Sequence, residues 1–281
     1  MHDHAEILTQ DDIYLPALIF HAHQESRGVI LLCPGLGIPK EFYVSYCQYL
    51  QKQNYDVLIF DYRGLGEAHL KDQTGRINLI EWAIQDIPAC IDYLKERHLD
   101  KKLFFFGHGI GGQIAGLVPN FHLVHKAVFF CSTGGGSASF DFPVNLFSFI
   151  MFYIQIPLVT KFFGYLPKGM TYRGVAIAKG VAQQWAKISR HPKYFLGFIG
   201  NLIPKAYYDQ VNQPILWLSF TDDKIGTTRA LRFMMDHYTN AEISKERIDP
   251  QKEGLPRIGH SGFFNSSKGK QLWHLPLEFI K

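Results

Sequence analysis

The sequence predicts an α/β fold with a mostly parallel central sheet, helices on both faces and an inserted lid. Three observations carry this. From Gly28 onward, short β-branched or aromatic runs alternate with amphipathic helical patterns. The strand-like runs lack clean polar alternation, as expected where helices cover both faces of a sheet. The alternation fails between about Phe140 and Ile203, where aromatic and Pro/Gly-rich sequence takes over, and it resumes at Pro214.

Ile7 to Gln10 and Ile13 to Ala22, with Asp11-Asp12 as the turn, read as an antiparallel hairpin leading into the sheet. Five strands follow, at Gly28 to Leu32, Tyr55 to Phe60, Lys102 to Phe106, Lys126 to Cys131 and Pro214 to Phe220. Helical patterns cover Phe42 to Gln53, Leu79 to Arg97, Gly111 to Val118 and Thr227 to His237. In the second of these, Leu79, Ile80, Ala83, Ile84, Ile87, Ile91 and Leu94 recur at helical spacing, so one face is buried. Pro88 inside it predicts a kink or an unusual turn, because proline has no N–H to give.

The 281 residues fit a single domain, 1–281, interrupted by a lid insertion at about 140–205. A hydrophobic share of 47% with 19% charged residues suits a soluble globular chain. The net charge of +4 is thinly spread, and the densest basic stretch, Lys95 to Lys102, is broken by Glu96 and Asp100. It reads as a solvated helix end, which argues against nucleic acid as a partner. Cys33, Cys47, Cys90 and Cys131 sit singly in apolar segments, as reduced core residues do, and no metal or organic cofactor is implied.

Met1 to Asp12 is polar and acidic with no basic-then-apolar export signal, so a cytoplasmic location is expected. The most apolar stretch, Phe142 to Val159, is bounded by Pro143 and Pro157 and interrupted by Asn145, Ser148 and Gln155. It reads as a lid over a pocket, and no membrane span is expected. His21 and His23 read as surface residues, and Gly134-Gly135-Gly136-Ser137 as a flexible approach to the lid, since it lacks a P-loop's Lys-Ser/Thr ending.

The chemistry-bearing signal is Phe104-Phe105-Phe106-Gly107-His108-Gly109-Ile110-Gly111-Gly112, which reads as strand, sharp turn, helix. It follows the G-x-S-x-G nucleophile elbow except at its central position, where Gly109 stands for serine. Thr221-Asp222-Asp223 follows a strand, and Gly259-His260-Ser261 lies near the C-terminus, giving the chain order elbow, acid, histidine. The interval between Asp223 and His260 leaves room for a helix and a further strand. Cys33-Pro34-Gly35-Leu36-Gly37 ends an early strand where a backbone N–H completes an oxyanion hole. Asp61-Tyr62-Arg63-Gly64-Leu65-Gly66 reads as a scaffold turn.

Together these segments resemble the α/β-hydrolase superfamily, and within it a bacterial group of predicted, uncharacterised hydrolases. Gly164-Tyr165-Leu166-Pro167 and Gln184-Trp185 look like that group's insertion, and the resemblance runs from Gly28 to Phe264. It implies an α/β-hydrolase fold with Asp223 as triad acid, His260 as general base, and Leu36 and Ile110 as oxyanion N–H donors. Asp222 is then a solvent-facing turn residue. Gly109 occupies the nucleophile position and has no side chain, so the acyl-enzyme route through it is closed.

Two functions remain open at the level of sequence. One is a serine-hydrolase relative of the carboxyl-ester type, impaired, acting through a water activated by the Asp223/His260 pair. The other is a non-catalytic pseudoenzyme that binds an apolar small molecule or a protein partner on the same scaffold. A third possibility is that Gly109 is a deliberate replacement of serine. The expected small-molecule ligand is an ester, an acyl compound or another apolar-tailed molecule. Cys33, Cys131, Ser132 and Ser261 lie near the motifs but read as packing or turn residues, because none occupies the tight turn.

Overall fold

The computed structural model describes residues 2–65, 77–171 and 174–281, so Gly66 lies outside the described residues. β1 (Asp3–Leu8) and β2 (Tyr14–Phe20) form the antiparallel hairpin, and β3 (Val29–Cys33) follows. Then come α1 (Val44–Lys52), β4 (Asp56–Phe60), α2 (Ile87–Arg97), β5 (Leu103–His108), α3 (Ile110–Gln113) and β6 (Lys126–Phe130). Between β6 and the next sheet strand lie α4 (Val144–Ile150), α5 (Ile156–Phe163), the short pair β7 (Tyr165–Leu166) and β8 (Ile177–Ala178), and α6 (Lys179–Arg190). The chain closes with β9 (Ile215–Phe220), α7 (Thr228–Met235), β10 (Ile243–Ile248) and α8 (His274–Ile280).

Among the described residues the main sheet has eight strands, in the order β1-β2-β4-β3-β5-β6-β9-β10. β2 pairs antiparallel with β1 and β4, and every other pairing is parallel. The central strands β3, β4, β5 and β9 are buried throughout, which explains their unbroken apolar runs. Alternate residues point to opposite faces. Leu31, Leu58, Phe105 and Trp217 pack towards α2, α6 and α7, while Ile30, Ile59, Phe106 and Leu218 pack towards α1 and α8.

The hairpin begins earlier than its apolar pattern indicates, at Asp3 rather than Ile7, and its first strand stops at Leu8. β1 is an edge strand paired on one side only, so exposed Asp3, His4 and Glu6 carry no penalty there. Pro88 is the second residue of α2, and the turn before it, Trp82–Asp86, widens into a π-helical turn. Pro157 does the same in the insertion, where a π-helical turn at Met151–Gln155 joins α4 to α5.

The helix so formed, Val144–Phe163, is 20 residues long and, by length and composition, apolar enough to cross a membrane. Its buried residues are Ser148, Phe152, Ile156 and Thr160, a stripe at i, i+4 spacing. The stretch read from sequence as a lid over a pocket is buried along one stripe and, among the described residues, largely exposed on its other side.

Candidate active site

The strand-to-helix turn after β5 is held by close backbone approach. A Cβ on Gly107 would lie 2.6 Å from Gly112 N, and one on Gly111 would lie 2.6 Å from the Cys33 carbonyl oxygen. These contacts bring β5, α3 and the end of β3 together, so the oxyanion loop lies beside the elbow. Gly109 has φ +51° and ψ −112°, in the left-handed region where side chains are strained. Its N–H donates to Phe130 O at 2.9 Å, and its carbonyl accepts from Gly112 N and Gln113 N.

A Cβ built on Gly109 would point at His260 Nε2 from 3.2 Å. The other ring nitrogen, His260 Nδ1, lies 2.9 Å from Asp223 Oδ2. A carboxylate only accepts, so Nδ1 carries the proton and the Nε2 lone pair faces the place of the missing side chain. Burial pushes the Asp223 carboxyl up, but His260 and the N–H groups of Ile225 and Gly226 outweigh it and hold the group below its ordinary value. Gly226 leaves room for the acid, since a Cβ there would lie 2.8 Å from Asp223 Oδ2.

Asp222 is not the solvent-facing turn residue expected from sequence. Its Oδ2 accepts from Ile258 N at 2.8 Å and its Oδ1 from Gly259 N at 2.9 Å. The two adjacent aspartates thus divide the work, with Asp222 fixing the loop that carries His260 and Asp223 fixing the ring.

A second connection was not visible in the motifs. Gly35 N–H donates to Tyr43 Oη at 2.8 Å, Tyr43 Oη lies 2.7 Å from His108 Nδ1, and His108 Nε2 lies 2.9 Å from the His260 carbonyl oxygen. The carbonyl fixes the direction: Nε2–H donates to it, and Nδ1 accepts from the Tyr43 hydroxyl. This buried chain ties the oxyanion loop, the elbow and the histidine loop together. Its one sequence signal is the polar residue inside the elbow, His108.

Leu36 and Ile110 both line the cavity beside Gly109 and His260, and among the described residues neither backbone N–H bonds to another loop. The cavity measures about 710 Å³. Its roof comes from the insertion, through Val144, Phe147, Met151, Phe152, Leu166 and Trp185. The lining is thus mostly apolar, as in sites for ligands with an apolar body.

The alternative nucleophiles do not reach this space. Cys33, Cys131, Ser132 and Ser261 are buried and none lines the cavity. Burial, with Asp223 adding to it, pushes the Cys131 thiol up. Cys131, Asp223 and His260 offer ligand atoms within 4.8 Å of one another. The His260 Nδ1 proton is committed to Asp223, so this trio has the arrangement of a protonated acid–base pair rather than of a metal donor set. The Arg63 turn is scaffold as expected. Its guanidinium is paired with Asp86 through Nε at 2.6 Å and with Asp11 through both terminal nitrogens.

A family model described as serine aminopeptidase, S33, matches residues 24–132, which carry β3 to β6 and the elbow. Across the whole chain, the DcsB structure determined with its substrate analogue superposes with a TM-score of 0.67 at 15% identity, covering 100% of this chain and 99% of the other. The chain has the α/β-hydrolase fold. Among other structures of this fold, the Paleococcus ferrophilus monoacylglycerol lipase superposes with a TM-score of 0.62 at 16% identity, covering 95% of this chain and 98% of the lipase. In sequence, the chain is 31% identical over 126 residues to lysophospholipase L2 of Escherichia coli. That match takes in 43% of this chain and 36% of the lysophospholipase, so it spans about a third of the relative's length.

Proposed function

We propose that this α/β-hydrolase-fold protein hydrolyses a small carboxylic ester with an apolar acyl part, slowly and without a covalent intermediate. The observation that carries the reading is the His260 Nε2 lone pair aimed at the space over Gly109, with Nδ1 held by Asp223 at 2.9 Å. A water in that space loses a proton to Nε2 as its oxygen bonds to the ester carbonyl carbon. The carbonyl oxygen becomes an oxyanion facing the Leu36 and Ile110 N–H groups. Collapse breaks the carbon–oxygen bond to the leaving group, which takes the proton from Nε2 and departs as alcohol, leaving the carboxylic acid.

The mostly apolar cavity and the lysophospholipase and lipase relatives support an acyl ester as the substrate class. The rate is modest by construction, because sites that lack one triad member retain only about 10³ to 10⁴-fold catalysis over water. A second reading rests on Gly109 itself. With no nucleophile and an open cavity, the same scaffold serves as a pseudoenzyme that holds an apolar ligand. Hydrolysis of a short-chain activated ester by the protein and by His260→Ala separates the two. Turnover lost in His260→Ala supports the hydrolase, and turnover absent from both proteins supports the binder.

A further inference from the structure

The outer face of the Val144–Phe163 helix is uncovered among the described residues. Phe147, Phe149, Ile154, Leu158, Phe162 and Phe163 are all exposed, Phe162 at 77% and Phe147 at 66%. The helix is fastened along its inner stripe, where Thr160 Oγ1 accepts from Gln183 of α6 at 3.2 Å and the Phe152 ring packs edge-on against Trp185. A patch of this extent on a soluble protein marks a contact surface.

Charge selects the occupant. From residue 140 to 203 the sequence has seven basic residues and one acidic, a net +6, in a chain whose total is +4. The six of these cations among the described residues, including Lys161, Lys168 and Arg190, are all exposed. The single acid, Asp141, lies 3.6 Å from Arg229. Beside the helix runs an open groove of about 540 Å³ lined by Phe142, Leu146, Phe149 and Tyr153, with Arg190 and His191 at its edge. The Arg190 guanidinium lies 5.5 Å from the Tyr153 ring centre, so cation and apolar surface are contiguous.

We propose that the insertion docks on an anionic lipid surface, with the outer face of the Val144–Phe163 helix laid among the acyl chains and the surrounding Lys and Arg residues against the headgroups. The inner stripe argues for lying in the interface rather than crossing it, because a span would have to give up the packing of Phe152, Ile156 and Thr160. A second copy is the less suitable occupant, since two such faces brought together oppose +6 to +6. This inference is independent of whether the site hydrolyses anything. It does place the cavity roof, Phe147 included, at the lipid boundary.

The test is co-sedimentation of the whole chain with vesicles of phosphatidylglycerol and phosphatidylcholine in equal parts, and with vesicles of phosphatidylcholine alone. The expected result is binding to the anionic vesicles at least roughly tenfold tighter, weakening with salt. The double variant Lys161→Glu, Arg190→Glu reduces it by roughly tenfold or more, and Leu158→Glu with Phe162→Glu abolishes it while far-ultraviolet circular dichroism stays unchanged. Failure of the folded protein to bind either vesicle overturns the proposal. So does concentration-dependent dimerisation, without vesicle binding, that the Leu158→Glu, Phe162→Glu variant removes; that result would give the face to a second copy.

Discussion

The elbow and the insertion helix border the same cavity but are held by different amounts of structure. Around Gly109, the backbone is fixed by its bonds to Phe130, Gly112 and Gln113, and by the Gly35–Tyr43–His108–His260 chain across three loops. Along Val144–Phe163, the buried stripe of Ser148, Phe152, Ile156 and Thr160, with Met151 and Val159 partly buried beside it, joins the helix to the rest. Chemistry needs its groups held to a fraction of an ångström, whereas a contact face needs only area and charge. The difference fits the two proposed tasks: bond-making at the over-determined end of the cavity, association at the lightly held one.

Substitutions that strip the scaffold behind the elbow test one side of this contrast. Arg63→Ala leaves Asp86, fully buried, with the residue 63 backbone N–H but without its guanidinium, and is expected to lower the unfolding free energy by about 3–5 kcal/mol in urea melts. A small loss would mean the sheet face is less dependent on that network than its hydrogen bonds imply. Tyr43→Phe removes the hydroxyl that serves both Gly35 N–H and His108, at an expected cost of about 1–3 kcal/mol. An unchanged denaturation midpoint would show the two loops to be held by packing alone.

Acid titration probes the same scaffold more gently. Hydrogen bonds from Arg63, foremost, hold the Asp11 carboxyl at about 2, down from 3.8, against the opposing effect of burial. A depressed carboxyl contributes stability that is complete above the unfolded value and is lost as pH falls through the folded one. Stability followed by urea unfolding is therefore expected to fall between about pH 4 and pH 2. An Asp11→Asn variant should flatten that part of the profile, and a profile unchanged by the substitution would remove Asp11 from the account.

The smallest effect is expected on the other side of the contrast. Leu158→Ser, at a site 50% exposed on the insertion helix, should change stability by no more than about 0.5 kcal/mol in water. A loss as large as that of Tyr43→Phe would show the helix to be anchored well beyond its inner stripe.

The parallel strands were readable because they are buried on both faces and so appear as unbroken apolar runs between helical patterns. The elbow, Asp223 and His260 were readable because the fold fixes their order in the chain and the residue types their chemistry needs. What escaped was long-range or single-residue in character. Tyr43 and His108 are 65 positions apart, and nothing in either local pattern announces a shared hydrogen bond. Asp222 resembles an ordinary turn residue until the Ile258–Gly259 backbone is folded against it. The apolar run from Phe142 showed what the helix is made of, but which side of it the domain covers depends on where α6 packs.

The central claim concerns the space over Gly109. The most direct measurement is the steady-state hydrolysis of one short-chain activated ester by the protein, by His260→Ala and by Gly109→Ser, each checked for folding by thermal melt. The account predicts slow turnover by the protein, none above background by His260→Ala, and a gain of roughly two orders of magnitude or more in Gly109→Ser as a nucleophile is restored beside Nε2. A folded Gly109→Ser variant with no gain, or an undiminished rate in His260→Ala, would contradict it.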